Sequence, residues 1–209
     1  MENNKNSIVL AVVAVATLIV AVFGATYAFF QAAGGTTVAK NVKVTTGTAG
    51  STTFAIANAI SINANQTNFA SGKSDLTSST TGTASFTAPS QVGTALDAAD
   101  LKSCYSVTVN IGSNTFKYTN GSTPELVLNV TKGTTKVINS MDITTKTTNV
   151  QVPTSSGGTT YVHTLQTTAG QTITDNWTVQ VTFKNLSSNQ NSNAGKTFSG
   201  TLSFAKATC

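Results

Sequence analysis

The chain has no arginine, a single histidine and few charged side chains of either sign. Charged residues make up 9% of its 209 residues, and lysine alone supplies the positive charge behind the formal net charge of +5. The lysines are scattered, whereas proteins that bind nucleic acids normally present arginine forks or a basic stripe with interleaved aromatic residues. We therefore expect no nucleic-acid partner. The mild basicity favours solubility or weak attraction to anionic cell-wall polymers and lipids.

Groups that carry out catalysis or bind metals are also scarce. A metal site needs several converging His, Cys, Asp or Glu side chains, but His163 is the only histidine and the two cysteines have no close-spaced partner. We expect His163 to be structural, and Asp97 and Asp100 to be solvated or to cap a turn. No glycine-rich segment has the pattern of a phosphate loop. The sequence therefore predicts no catalytic site, no metal, no cofactor and no enzymatic activity.

What the sequence does contain is Thr, Ser, Asn, Gln and Gly, mixed with Val, Ile and ten Phe in alternating runs. Such residues favour strands and turns over helices, and the recurring apolar residues argue against disorder. About 180 residues follow the N-terminal segment, which suits one domain with a real core.

The N-terminal segment is hydrophobic and uncharged from Ile8 to Ala33. It is longer than a typical signal-peptide core of about 7 to 15 residues and reaches the roughly 20 residues that a helix needs to span a bilayer. Thr26-Tyr27-Ala28 places small residues at positions −3 and −1, so a signal peptidase would cut between Ala28 and Phe29. Residues 1–28 are therefore predicted to be a signal peptide, with an uncleaved membrane anchor as the alternative.

Residues 29–44 are predicted to be a flexible leader that ends in a short strand. Gly34-Gly35 supplies the flexibility, and Val38, Val42 and Val44 share one face. Residues 45–209 then form the β domain.

The first half of that domain has one clear apolar pattern and one long polar segment. A single strand covered on one side is predicted over residues 52–62, where Phe54, Ile56, Ile60 and Ile62 share a face. Residues 63–83 are rich in Ser, Thr, Asn and Gly and are predicted to be an exposed loop, with an irregular strand as the alternative. Phe86 marks a short strand.

The middle of the chain predicts a helical turn and then a hairpin. The turn spans residues 95–101. Tyr105, Val107, Val109 and Ile111 alternate, residues 112–114 provide Gly-Ser-Asn turn chemistry, and Phe116 with Tyr118 forms the returning strand.

The last part predicts further strands separated by turns, with a polar loop at residues 185–196. The strands are expected at Leu126–Val130, Val137–Ile143, Val150–Val152, Tyr161–Leu165, Trp177–Phe183 and Phe198–Phe204. Strands spaced by turns, without an amphipathic helix, predict an all-β fold: an antiparallel β-sandwich or jelly roll preceded by one hydrophobic N-terminal helix.

The two cysteines are an even count in a chain expected to be exported. Cys104 and Cys209 both lie off the apolar parity of their strands, which would place them outside the core on strands that could be neighbours. An intramolecular disulfide, two free thiols and pairing between subunits through Cys209 all fit the sequence.

Both ends of the chain resemble the TasA and camelysin family of Gram-positive exported proteins. The resemblance rests on the leader ending GATYAFF (residues 24–30) and on the C-terminal run WTVQVTFKNLSSNQNSNAGKTFSGTLSF (residues 177–204), which together cover about a sixth of the chain. It implies a leader cut by an ER-type signal peptidase. It also implies a jelly roll that polymerises into fibres of the biofilm matrix, the freed N-terminal strand of one subunit completing the sheet of the next.

The expected function is a secreted structural subunit of a surface fibre or biofilm matrix. Its partners would be other copies of itself, with Val38, Val42 and Val44 in the donated strand. The alternative is a membrane-anchored, non-polymerising adhesin that binds glycans through exposed aromatics and Asn-rich loops such as Asn185–Asn193.

Overall fold

The computed structural model describes the backbone of residues 42–44 and all of residues 50–65, 73–90 and 96–209. The strands are β1 Val42–Val44, β2 Ser51–Ile56, β3 Ile60–Asn63, β4 Leu76–Thr87, β5 Lys102–Asn114, β6 Leu126–Lys132, β7 Thr135–Asp142, β8 Val150–Gln151, β9 Val162–Gln166, β10 Thr172–Phe183 and β11 Thr197–Ala207. Ala28, Phe29 and Val38, together with the expected N-terminal helix, lie outside the described residues.

The strands form two sheets in which every pairing is antiparallel. The first has six strands in the order β1-β2-β4-β10-β6-β7, and the second has the order β3-β11-β5-β8 with β9 also paired to β5. Within the described residues the protein is all-β. Its only helical element there is a single 3-10 turn, Asn191–Asn193, and no helix in this part of the chain is long and apolar enough to cross a membrane.

One apolar core draws on both sheets. Strand β10 buries every second side chain from Trp177 to Phe183, and its partners β4 and β6 bury theirs on the same face. From the second sheet, the Tyr105 ring meets that of Trp177 edge-on at a centroid distance of 6.4 Å. The apolar positions that alternate in three predicted strands are thus the inner faces of β10, β6 and β11. The predicted segments are Trp177–Phe183, Leu126–Val130 and Phe198–Phe204.

The prediction of a polar loop over residues 63–83 is wrong from Leu76 onward. Strand β4 begins at Leu76 and is a central strand of the first sheet. Its buried face carries small residues because the second sheet approaches closely: a Cβ atom on Gly82 would come within 2.7 Å of the Leu202 side chain. Phe86, expected on a short strand, lies near the end of this long one.

The single strand predicted over residues 52–62 is also wrong, because the chain changes sheets in the middle of it. Strand β2 belongs to the first sheet and β3 to the second. The exposed alanines of residues 57–59 connect the two. Both strands point their even-numbered side chains toward the same core, so the parity of the pattern is continuous although the strand is not.

The hairpin predicted around residues 112–114 does not form. These residues continue β5, which bulges where Ser199 and Gly200 of β11 pair with it. Phe116 is buried instead as part of a loop, where its ring stacks on that of Phe183 at 4.9 Å. Turn chemistry was therefore a poor guide here, since a β-bulge tolerates the same residue types.

A buried carboxylate organises the loops at one end of the two sheets. Glu125, fully buried just before β6, accepts hydrogen bonds on one oxygen from the Thr119 backbone amide and hydroxyl. Its other oxygen accepts from Gln190 Nε2 at 2.7 Å and from Asn193 Nδ2 at 2.9 Å. The loop predicted at residues 185–196 is thus present, but two of its amide side chains are buried and hold the carboxylate.

Replacing Glu125 by Gln should destabilise the protein by about 3 kcal/mol, because one carboxylate oxygen becomes an NH2 group that faces donors and leaves them unpaired in the interior. Urea unfolding of the wild type and the variant measures this difference. Asp97→Asn, at an exposed turn, is the matched control and should change stability by less than about 0.5 kcal/mol. Equal midpoints for all three proteins would contradict the role assigned to Glu125.

The two cysteines are joined by a disulfide between Cys104 in β5 and Cys209 at the C-terminus, with a Cα–Cα distance of 5.2 Å. Cys104 pairs with Ala207 of β11, which brings the tail beside it. As expected, neither cysteine occupies one of the alternating apolar positions that face the core, but only Cys209 is exposed. Cys104 is covered from the β9 side, where its sulfur lies 3.5 Å from Thr164 Oγ1.

Removal of this disulfide should cost roughly 3 to 5 kcal/mol of unfolding free energy, since it closes a loop of 105 residues in the unfolded chain. Cys209→Ser tests this by denaturant unfolding, and the wild type with a reducing agent should unfold at the same midpoint as the variant. An unchanged midpoint for Cys209→Ser would show that the disulfide adds no stability.

Candidate functional site

The candidate assembly edge is the outer side of the first sheet where β1 pairs with β2. Val42 lies opposite Phe54, and Val44 lies opposite Thr52. Among the described residues, three residues of β1 make this pairing. A short strand at the edge of a sheet is bound on one side only, so little backbone pairing has to break for it to leave.

Strand β2 is held independently of β1. Six of its residues pair with β4 on the other side. The hydroxyl of Thr52 bonds to that of Ser103 in β5 at 2.7 Å, which ties β2 to the second sheet. The ring of Phe54 stacks on Phe204 at 5.5 Å and lies 5.9 Å from Tyr105. Departure of β1 would therefore expose an ordered edge rather than unravel the sheet.

The opposite edge of the first sheet is irregular. Strand β7 shifts its register against β6 near Leu128 and Val130. Ser140 has a positive φ of 49°, and its backbone N–H donates to the Asn129 side chain at 2.8 Å. Bulges and an exposed lysine, here Lys136, are common protection against unwanted strand pairing. The two edges thus differ in their capacity to accept another strand.

A polar cluster between the sheets brings several ionisable groups together. The Tyr105 hydroxyl donates to Asp175 Oδ2 at 2.5 Å and accepts from Trp177 Nε1 at 3.0 Å. Lys132 Nζ lies 2.7 Å from the same Asp175 oxygen. Burial and the bond to Asp175 raise the pKa of the Tyr105 phenol well above its usual value. Tyr105 therefore stays protonated and serves as a fixed bridge from β5 to β10.

His163 lies in β9 and is almost completely buried. Its Nε2 lies 3.1 Å from the Val152 carbonyl, to which it donates in the neutral tautomer. The ring stacks on Tyr105 at 5.3 Å and meets Trp177 edge-on at 4.8 Å. Burial lowers the pKa of the imidazole, although the bond to Val152 opposes this effect. These contacts give His163 a packing role.

Stability should fall with acidification because of His163. The pKa of His163 is lower in the folded protein than in the unfolded chain, so the unfolded chain binds a proton first as the pH drops below about 6.5. The free energy of unfolding then falls by up to about 1.4 kcal/mol per pH unit. Urea midpoints between pH 7.5 and 5 measure this slope. In His163→Gln, which keeps an amide donor without a titration, the slope over this range should be smaller. Equal slopes would contradict the assignment.

The remaining predicted site residues do not converge on a common point. Asp97 and Asp100 form a hydrogen-bonded turn, with the Asp100 N–H donating to the Asp97 carbonyl at 2.9 Å, in place of the helical turn expected at residues 95–101. Within residues 50–65, 73–90 and 96–209, no group of three or more His, Cys, Asp or Glu could hold a metal ion.

No protein-family model and no curated protein matches the chain. The function is therefore inferred from the contacts of β1 and β2 described above. Sequence reasoning pointed to Val42 and Val44, but the support of β2 by Ser103 could not be foreseen, since it depends on how the two sheets face each other.

Proposed function

We propose that the protein is a secreted structural subunit of an extracellular fibre or biofilm matrix, and that its domain is a β-sandwich of the jelly-roll type. Subunits assemble when the N-terminal strand of one copy takes the place of β1 in the next. The observation that carries the proposal is the contrast between a three-residue β1 and a β2 that is secured by six β4 pairs and the Thr52–Ser103 bond.

Strand replacement at this edge needs little free energy from new contacts. The incoming strand restores the pairing that β1 gave up, so the exchange is nearly balanced for the pairs that break and re-form. Val42 and Val44 are paired with Phe54 and Thr52, whose side chains point toward the core. Cleavage after Ala28 would free the donor strand from the membrane.

Assembly is tested with the full precursor expressed in a Gram-positive secretion host. We expect negative-stain electron microscopy of the extracellular material to find filaments, and a mass spectrum to find an N-terminus at Phe29. Val42→Asp with Val44→Asp should abolish the filaments, because it places two charges at positions paired with Phe54 and Thr52, whose side chains point toward the core. The control Lys43→Asp, on the other face, should retain them.

Folded monomers from the wild type, with no filaments, would argue against self-assembly. A mass that still includes residues 1–28 would favour the membrane-anchored module instead. Filaments from both variants would contradict the assignment of residues 42–44 as the donor strand.

A further inference from the structure

The last two residues of the chain are fastened to the domain by the disulfide. Strand β11 ends at Ala207, which lies opposite Cys104 of β5. Thr208 and Cys209 follow the strand, and within the part of the chain that the structure describes they make no hydrogen bond or ion pair outside the β-ladder. The bond between Cys104 and Cys209 is therefore the contact that keeps this tail beside β5.

The two cysteines of the disulfide differ in their access to solvent. Cys209 is exposed, whereas Cys104 is only 3% exposed. Cys104 is flanked by Thr164 of β9 on one side and by Ala207 of β11 on the other. A thiolate that attacks a disulfide forms a bond to one sulfur and expels the other, and access decides which sulfur is attacked. Attack from solvent therefore falls on Cys209 and expels Cys104.

A cavity of about 490 Å³ adjoins the disulfide. This volume lies within the range of roughly 300 to 1,000 Å³ that is usual for small-molecule sites. Both cysteines line the cavity, together with Lys102 of β5 and with Val162, Thr164 and Gln166 of β9. These side chains offer apolar contact, hydrogen bonds and one positive charge. A small thiol can therefore be held there while its sulfur approaches Cys209.

The Thr164 hydroxyl is placed to assist the departure of Cys104. Its Oγ1 lies 3.5 Å from Cys104 Sγ. A disulfide sulfur carries no hydrogen, so the hydroxyl is the donor in this contact. The hydrogen bond becomes stronger as negative charge develops on the departing sulfur, which lowers the barrier to exchange. The positive charge of Lys102, in the lining of the same cavity, acts in the same direction.

We propose that the Cys104–Cys209 disulfide is an exchange site for a small-molecule thiol such as a short thiol peptide. The thiolate sulfur bonds to Cys209 Sγ as the bond from Cys209 to Cys104 breaks, and the electron pair of the broken bond leaves on Cys104 Sγ, which then takes a proton from solvent. The thiol is the only co-reactant and no oxidant is consumed. The product has a released tail that carries the small molecule, and a covered Cys104 thiol. This chemistry does not depend on whether the subunits polymerise.

Glutathione is the probe that tests the proposal. Protein secreted from the full precursor is incubated in its folded state with excess glutathione and quenched in acid at timed intervals. Mass spectrometry should find a first product that is heavier by one glutathione, and peptide mapping should place the adduct on Cys209 at least about tenfold more often than on Cys104. No adduct on the folded protein, or equal amounts on the two cysteines, would overturn the proposal.

Thr164→Val tests the part played by the hydroxyl. Loss of this donor should slow the formation of the adduct about tenfold, and Thr164→Ser should restore the rate. Thr108→Val is the matched control, because Thr108 lies on the same face of β5 as Cys104 but outside the cavity, and it should react at the wild-type rate. A variant that merely loosened β9 would react faster, since Cys104 would lose its cover. A rate for Thr164→Val at or above that of the wild type would therefore overturn the role assigned to Thr164.

Discussion

The pairing of β4 with β10 is the constraint on which the rest of the structure depends. Twelve consecutive residues of each strand lie opposite one another without a register shift. This pair fixes which face of the first sheet is buried, since alternate residues of both strands point to the core. Strands β2 and β6 then add on either side, and the second sheet packs onto the face that contains Trp177 and Phe183.

Apolar periodicity predicted much of this architecture. Strands whose inward residues are large, such as β10 and β6, could be recognised because Trp177, Val179 and Leu128 alternate with polar residues. Apart from the short strand expected at Phe86, β4 was predicted to be a loop because its inward positions include Thr80, Gly82 and Ala84. At Gly82, Leu202 and Phe204 from the opposite sheet fill the space that a side chain would need. That information lies in the partner strand, more than a hundred residues away.

The loop network around Glu125 was beyond prediction for a different reason. Its partners, Thr119, Gln190 and Asn193, are polar residues in polar segments, and composition alone assigns such segments to the surface. Burial becomes favourable only when every group finds a partner, because each unpaired group would carry its full desolvation cost. Sequence spacing gives no measure of that mutual satisfaction. The edge at β1 was easier to anticipate, since Val42 and Val44 alternate in an otherwise polar leader.

The inequality of the two edges bears on the kind of assembly that strand exchange would produce. In the proposed exchange the donor is an N-terminal strand and the acceptor is the edge of β2, so the two surfaces in each contact are different. Such a heterologous contact forms an open filament unless its rotation closes a ring. The bulged β7 edge, with Ser140 at positive φ and an exposed Lys136, disfavours a competing contact at the far side of the sheet. In the proposed exchange, growth along a single axis would therefore follow from the asymmetry of the first sheet.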